Sequence, residues 1–339
     1  MDIDQLTKTA QAMVAKGRGI LAADESGATI QKRFDAIIVE NTETNRRDYR
    51  EALFRSDDAM KSYVSGVILH DETLRQNAAD GTPFVKLIQD AGAIPGIKVD
   101  GGTKPMPRCP GELITQGLDG LAERLAEYHA LGARFAKWRA VIDIDGGPTY
   151  DCIHANTHAL ARYAALCQQA DIVPIVEPEV LMDGAHSIEH CAEVSEWLLK
   201  ETFLELYHNN VVLEGIVLKP NMVIAGKKCK EQSKIDDVAR ETMRVLRRCV
   251  PAAVPGIAFL SGGQSDEQAT AHLDAMNKLG GNPWALTYSY GRALQAAPQK
   301  AWGGKAENVP AAQKAFTHRA KMNSLASTGA YSRGLEALM

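Results

Sequence analysis

Eight short apolar or β-branched runs recur along the chain, each closed by a polar residue or a turn signal: GILAADES, SGVILHDE, IPGIKVDGG, ARFAKWRAV, DIVPIVEPEV, EGIVLKPNM, PGIAFLSGG and WALTYSYGR. Most segments between them are long enough for a helix and carry helical patterning, as in GLDGLAERLAEYHALG and SIEHCAEVSEWLLKETFLELYHNN. A strand that is apolar throughout, rather than at alternate positions, is buried on both faces. Strand followed by helix, repeated, therefore predicts a parallel sheet covered on both sides. Eight such units in 339 residues fit a closed (β/α)8 TIM barrel better than the alternative, an open doubly wound sheet. No low-complexity linker divides the chain, so one barrel domain is expected over residues 1–339, with a C-terminal helix and a loose tail from about residue 300.

The charge balance narrows the partners. Charged residues make up 24% of the chain and the formal net charge is -4, so there is no basic field to hold nucleic acid or an acidic membrane. Arg244, Arg247 and Arg248 lie at helical spacing and are expected on a solvated face. The six cysteines are scattered without a CxxC pair, which suits a reducing compartment. The start, MDIDQLTKTA, lacks the basic and apolar regions of a signal peptide, and no apolar run is long enough to span a bilayer. A cytoplasmic protein is expected.

Side chains at i and i+2 share a face of a strand. This groups Ala22, Asp24 and Ser26; Lys98 and Asp100; Phe135, Lys137 and Arg139; Ile175, Glu177 and Glu179; and Val217 with Lys219. In each group the charge lies at the C-terminal end of the strand. In a barrel those ends converge on one mouth, where barrel enzymes keep their chemistry. One charged strand end is an ordinary loop entry, but five mixing lysine and carboxylate predict a site.

The last two units carry a second signal. Ser261, Gly262 and Gly263 directly follow the seventh run, and Gly291 and Arg292 follow the eighth. Loops at these positions cradle phosphate through backbone N–H groups, and an arginine adds a planar, permanently charged fork. A phosphorylated substrate is expected. WGGKAE lacks P-loop spacing, and no GxGxxG follows a strand, so no nucleotide cofactor is expected. Two histidine pairs have i,i+4 spacing, His154 with His158 and His186 with His190. Neither is HExxH, and surface or capping roles are expected for them rather than metal ligation. A lysine-rich mouth would also repel a divalent ion.

Lys219 ends an apolar run and precedes a proline. A protonated lysine is no nucleophile; an apolar setting and a neighbouring cation, here Lys137 two strands away, both favour the free amine. Such an amine attacks a ketone to form a Schiff base, whose iminium withdraws electrons from the adjoining carbon–carbon bond. The competing reading is a structural ion pair between Lys219 and Glu177.

Taken together, GILAADES, TNRRDYRE, SGVILHDETL, GIKVD, FAKWRA, VPIVEPE, LKPNM, FLSGGQS and WALTYSYGRALQ, from about Gly17 to about Ala330, closely resemble the class I fructose-1,6-bisphosphate aldolases. That resemblance implies a metal-independent, cofactor-free (β/α)8 enzyme, a homotetramer, that reversibly cleaves fructose 1,6-bisphosphate to dihydroxyacetone phosphate and glyceraldehyde 3-phosphate. It implies Lys219 as the Schiff-base lysine, Glu177 as the acid–base residue with Glu179 in support, Asp24 as the acceptor of the 4-hydroxyl proton, and Lys137 as the cation stabilising developing charge. It further implies Ser261, Gly262, Gly263 and Arg292 around the phosphate nearest the ketone, and Ser26, Lys98 and Arg139 nearer the other. Thr29 stands where many members have serine. The better-known members end in a tyrosine credited with protonating the enamine, whereas this chain ends GLEALM and its last tyrosine is Tyr331. A glutamate acting through water and a slower turnover are the alternatives for that step. Two rival functions share the motifs: a sugar-phosphate-binding scaffold, and metal-dependent cleavage of the same substrate.

Overall fold

The computed structural model describes residues 1–337. Eight parallel strands form the core: β1 (Gly19–Ala23), β2 (Val64–Leu69), β3 (Ile94–Lys98), β4 (Phe135–Ile142), β5 (Val173–Val180), β6 (Val217–Leu218), β7 (Gly256–Phe259) and β8 (Ala285–Tyr290). They pair in chain order and close into a barrel, the seam being β1 against β8 with Ile20 beside Ser289. Each of the eight apolar runs supplies one strand, so the (β/α)8 expectation holds. One feature lacks a sequence counterpart: an antiparallel hairpin of Thr103–Pro105 and Leu113–Thr115 follows β3 and braces the middle of β4, Thr115 Oγ1 donating to the Arg139 carbonyl at 2.7 Å.

The strands bury both faces, and two separate apolar clusters result. The inner one contains Ile20, Ala22, Ile68, Phe135, Val173, Ile175, Val217 and Ala258. Leu6, Ala10, Met13 and Val14, from the helix Ile3–Met13 and the residue after it, join the same cluster and stop the barrel at its N-terminal end. Phe135 fits inside because glycines face it: a Cβ on Gly96 would come within 2.3 Å of its ring, and one on Gly66 within 2.9 Å. Leu21, Val67, Leu69, Ile97, Val176 and Leu218 belong to the outer cluster, shared with the helices. This double burial is why the strand sequences read as continuous apolar runs.

The helices over β4, β5 and β7 begin on hydroxyl caps. Thr149 accepts from the Cys152 N–H ahead of Tyr150–Gln169, and Ser187 from the His190 N–H ahead of Ile188–His208. Ser265 forms a reciprocal capping box with Gln268 at Asp266–Leu279. The arginine cluster lies on Ile235–Cys249, where Arg244 and Arg248 meet Glu196 of the neighbouring helix at 3.6 and 3.1 Å. That is the solvated face the spacing predicts.

The C-terminal stretch corrects one expectation. Helices Arg292–Trp302 and Val309–Ala326 are present, but the segment beyond them is fastened rather than loose. Tyr331 is buried, its N–H donating to Asp274 at 3.0 Å and its hydroxyl to Glu336 at 3.0 Å, while Lys278 donates to its carbonyl at 3.1 Å. The last two residues of GLEALM lie outside the described residues.

Candidate active site

Continuing each inner face by two residues leads from the apolar cluster into the charged layer. Ala22 is followed by Asp24, Phe135 by Lys137, Ile175 by Glu177 and Val217 by Lys219. Lys137, Glu177, Glu179 and Lys219 are all buried. The geometry is a chain of charges. Lys219 Nζ lies 3.2 Å from Glu177 Oε1; Lys137 Nζ lies 3.4 Å from Glu177 Oε2 and 3.0 Å from Asp24 Oδ2. Asp24 and Lys219, one residue past β1 and β6, and Lys137 and Glu177, within β4 and β5, are thus brought into one cluster.

The LKPNM stretch explains how Lys219 is aimed. The residue before a proline is restricted to extended backbone, so Lys219 continues the strand conformation past the last ladder residue. Its N–H still bonds the Val176 carbonyl at 2.8 Å. Pro220 has no N–H to continue the ladder, and the Asn221 side chain takes over, accepting from the Val180 N–H at 2.9 Å. Asn221 thereby ties the end of β5 to the loop that carries the lysine.

Burial alone would push the Asp24 carboxyl up, but the positive charges of Lys137 and Lys219 outweigh it and hold the group below the usual carboxylate range. Burial would likewise push Lys137 down, but Asp24, Glu177 and Asp100 outweigh it and hold the ammonium above its ordinary value. Two unit charges 3 Å apart attract by about 5 kcal/mol at an effective dielectric of about 20. Desolvating each ion costs several kcal/mol. As a stabilising element the cluster therefore gains little over apolar packing, and its residues are better explained by chemistry.

Lys98 pairs with Asp100 at 2.9 Å and is the register partner of Lys137; Arg139 pairs with Glu179. The mouth thus sets Lys98, Lys137, Arg139 and Lys219 against Asp24, Asp100, Glu177 and Glu179. Its cations are matched by carboxylates, so the repulsion of a metal by excess lysine, expected from the sequence, does not apply. Among the described residues no group of three or more His, Cys, Asp or Glu side chains is spaced to hold an ion.

Ser261, Gly262, Gly263 and Gln264 form a tight turn after β7, closed by the Gln264 N–H to the Ser261 carbonyl at 3.2 Å. Gly263 has φ +74, and the turn rests on Met182: a Cβ on Gly262 would come within 2.8 Å of that side chain and one on Gly263 within 2.3 Å. Arg292 begins the helix after β8 and donates to the Gln264 carbonyl. The two predicted phosphate loops therefore touch. Ser26 precedes the helix Gly27–Asp35, its hydroxyl 3.1 Å from that of Thr29. It is bonded to neither Lys98 nor Arg139, so this second predicted group is spread over three strand ends.

The histidines divide. His154 and His158 are half-exposed and both meet Glu205, at 3.4 and 2.9 Å. His190 follows its cap as expected. His186 does not fit a surface or capping role: it is buried and neither ring nitrogen has a hydrogen-bond partner. Burial pushes its imidazole down and outweighs the opposing pull of the Asp145 carboxylate, 4.0 Å from Nδ1.

Two sets of polar residues escaped the sequence reading. His70 follows inner-face Ile68 by two positions, so the rule that found Asp24 could have found it. Glu25 is buried among Arg33, Arg50 and Gln295, the last donating at 2.7 Å. A lone carboxylate next to Asp24 gave no sign of where its partners would come from. TNRRDYRE supplies Arg50, but nothing local distinguishes it from Arg46 or Arg47.

The family described as "Fructose-bisphosphate aldolase class-I" matches residues 5–338. The chain is 57% identical over 331 residues to the probable fructose-bisphosphate aldolase class 1 of Xanthomonas campestris pv. campestris, covering 97% of this chain and 99% of that one. It is 54% identical over 317 residues to the cytosolic fructose-bisphosphate aldolase 4 of Arabidopsis thaliana, covering 93% and 80%. Among solved structures it resembles the Plasmodium falciparum fructose-bisphosphate aldolase crystallised with TRAP and a small-molecule inhibitor: TM-score 0.95, 52% identity, 97% of this chain and 96% of that chain covered.

Proposed function

Because the chain belongs to the class I fructose-bisphosphate aldolase family, we propose that Lys219 is its Schiff-base lysine and that Glu177 moves the protons that step requires. The protein is a carbon–carbon lyase that reversibly cleaves fructose 1,6-bisphosphate into dihydroxyacetone phosphate and glyceraldehyde 3-phosphate. The observation that carries the residue assignment is the 3.2 Å approach of Lys219 Nζ to Glu177 Oε1 in a buried barrel mouth.

The ammonium proton of Lys219 passes to Glu177, leaving an amine that attacks the ketone carbon. Glu177 returns a proton to the carbinolamine oxygen, water leaves, and an iminium remains. Asp24 accepts the proton of the 4-hydroxyl, the C3–C4 bond breaks, and its electron pair enters the iminium to give an enamine. Lys137, held cationic between Asp24 and Glu177, offsets the charge that develops there. Glyceraldehyde 3-phosphate departs. Glu177, acting through water, delivers to the enamine the proton that Asp24 took from the 4-hydroxyl; this regenerates the iminium and returns Asp24 to its carboxylate, and hydrolysis frees dihydroxyacetone phosphate and Lys219. Tyr331 takes no part in this scheme, since its hydroxyl is engaged by Glu336.

Ser261, Gly262, Gly263 and Arg292 hold the phosphate nearest the ketone, and Ser26, Lys98 and Arg139 act nearer the other. No helix among the described residues is long and apolar enough to cross a membrane. The family resemblance and the cytosolic plant relative support a cytoplasmic homotetramer. Incubation with dihydroxyacetone phosphate and borohydride tests the assignment: peptide mapping should find the label on Lys219, and activity should survive exhaustive chelation. Label on another lysine, with Lys219→Ala still active, would overturn it.

A further inference from the structure

The turn Ser261–Gln264 has an anchor that the proposed reaction does not use. Gln264 is buried, 4% exposed, and so is His272, 6% exposed, two turns into the helix that follows. Gln264 Oε1 accepts from His272 Nδ1 at 2.6 Å, which sets the imidazole tautomer with its proton on Nδ1. Burial lowers the His272 pKa to about 4, so at neutral pH the ring is an uncharged donor. On its other side Gln264 Nε2 has no partner. The bond to His272 is therefore the only hydrogen bond holding this amide among the described residues. The backbone of the same residue performs two tasks: its N–H closes the turn onto Ser261, and its carbonyl receives the Arg292 guanidinium.

We infer that His272 is a positioning residue for phosphate binding, acting through Gln264 to fix the glycine turn and the resting place of Arg292. This inference rests on the reading of Ser261, Gly262, Gly263 and Arg292 as the phosphate cradle. The turn needs such an anchor. Gly262 and Gly263 are conformationally permissive, and a β-turn with a positive φ at its third residue depends on the residues flanking it. Van der Waals contact with Met182 limits the turn from below, but gives no direction to the Gln264 carbonyl. A hydrogen bond between two buried side chains does, because leaving the amide unmade at both ends would cost about 1–3 kcal/mol.

The test compares His272→Leu, His272→Asn, Arg292→Gln and the double variant His272→Leu/Arg292→Gln in the full chain. The readouts are KM for fructose 1,6-bisphosphate, kcat, and competitive inhibition by inorganic phosphate. Loss of one such bond predicts that His272→Leu raises KM and the phosphate inhibition constant about tenfold, with kcat changed about twofold or less. His272→Asn, whose Nδ2 can take the place of Nδ1, restores both. The leucine effect shrinks in the Arg292→Gln background, because the two residues act on the same carbonyl. Unchanged KM and phosphate inhibition in His272→Leu, while Arg292→Gln weakens both, would overturn the inference and leave the cradle intact. Equal damage from leucine and asparagine would assign His272 to packing and overturn it too. If Arg292→Gln leaves phosphate binding untouched, the cradle reading fails and takes this inference with it.

Discussion

Lys219 Nζ lies 3.2 Å from Glu177 Oε1, so the two readings that the sequence leaves open, nucleophile and ion pair, describe the same contact. A carboxylate at that distance can remove the proton that keeps the amine from attacking and later return it to the departing hydroxyl. In the Glu177→Gln variant the amide keeps the shape and a hydrogen-bonding oxygen but cannot carry the proton. The variant should lose about 10²–10⁴-fold in kcat. Borohydride trapping should still label Lys219, more slowly. Single-turnover kinetics with dihydroxyacetone phosphate separate the two, and trapping at the wild-type rate would remove Glu177 from this role.

Lys137 is the pivot of the charge chain, touching both Asp24 and Glu177. Lys137→Met leaves two buried carboxylates without their shared cation. Breaking a buried pair in this way costs about 3–5 kcal/mol, which chemical denaturation at neutral pH should register. The pH dependence has a definite sign. Asp24 is held below its ordinary range, so its contribution to stability is complete above about pH 4 and fades as pH falls further. With Lys137 gone, burial dominates, the Asp24 carboxyl titrates higher, and the acid limb of the kcat/KM profile should move upward. An unmoved limb would mean that Asp24 is not the group it reports.

Tyr331 is fixed by its neighbours on the helix Asp266–Leu279 and by Glu336, with none of the charged cluster at the mouth among its bonded partners. Tyr331→Phe removes one partly buried hydrogen bond and should cost about 1 kcal/mol of stability. The rate at which dihydroxyacetone phosphate exchanges its C3 proton with solvent should be unchanged, since the proposed scheme does not route enamine protonation through this hydroxyl. NMR of the exchange in D₂O reads that rate directly, and a large drop would assign the proton transfer to Tyr331 instead.

The charged cluster at the barrel mouth was legible because two regularities coincide in it. The two-residue alternation assigns Asp24, Lys137, Glu177 and Lys219 to the inner face, and the apolar residue two positions before each assigns them to the mouth side of the apolar cluster. Neither depends on knowing which elements pack together beyond barrel closure. Glu25 fails on that count, because its partners Arg33, Arg50 and Gln295 come from three separate helices. The braced Tyr331 segment and the buried His186 fail for the same reason: local composition reads as loop or surface, and tertiary packing decides otherwise. The hairpin at Thr103–Pro105 has strands of only three residues, too short for any periodicity to show.

His272 makes a last prediction that concerns stability. Burial lowers its folded-state pKa to about 4, against about 6.5 in an unfolded chain. Between those values the unfolded chain binds a proton that the folded protein refuses. Stability therefore declines as pH falls below about 6.5, and the decline is complete near pH 4, amounting to about 3 kcal/mol if the full shift is realised. His272→Asn has no proton to gain and should lose less stability than the wild type between pH 7 and pH 4.5. Urea unfolding of both proteins at the two pH values provides the comparison, and the difference should lie in the midpoint rather than the slope. Parallel losses in the two proteins would mean that His272 is protonated as readily folded as unfolded, and that the contact with Gln264 does not depend on a neutral ring.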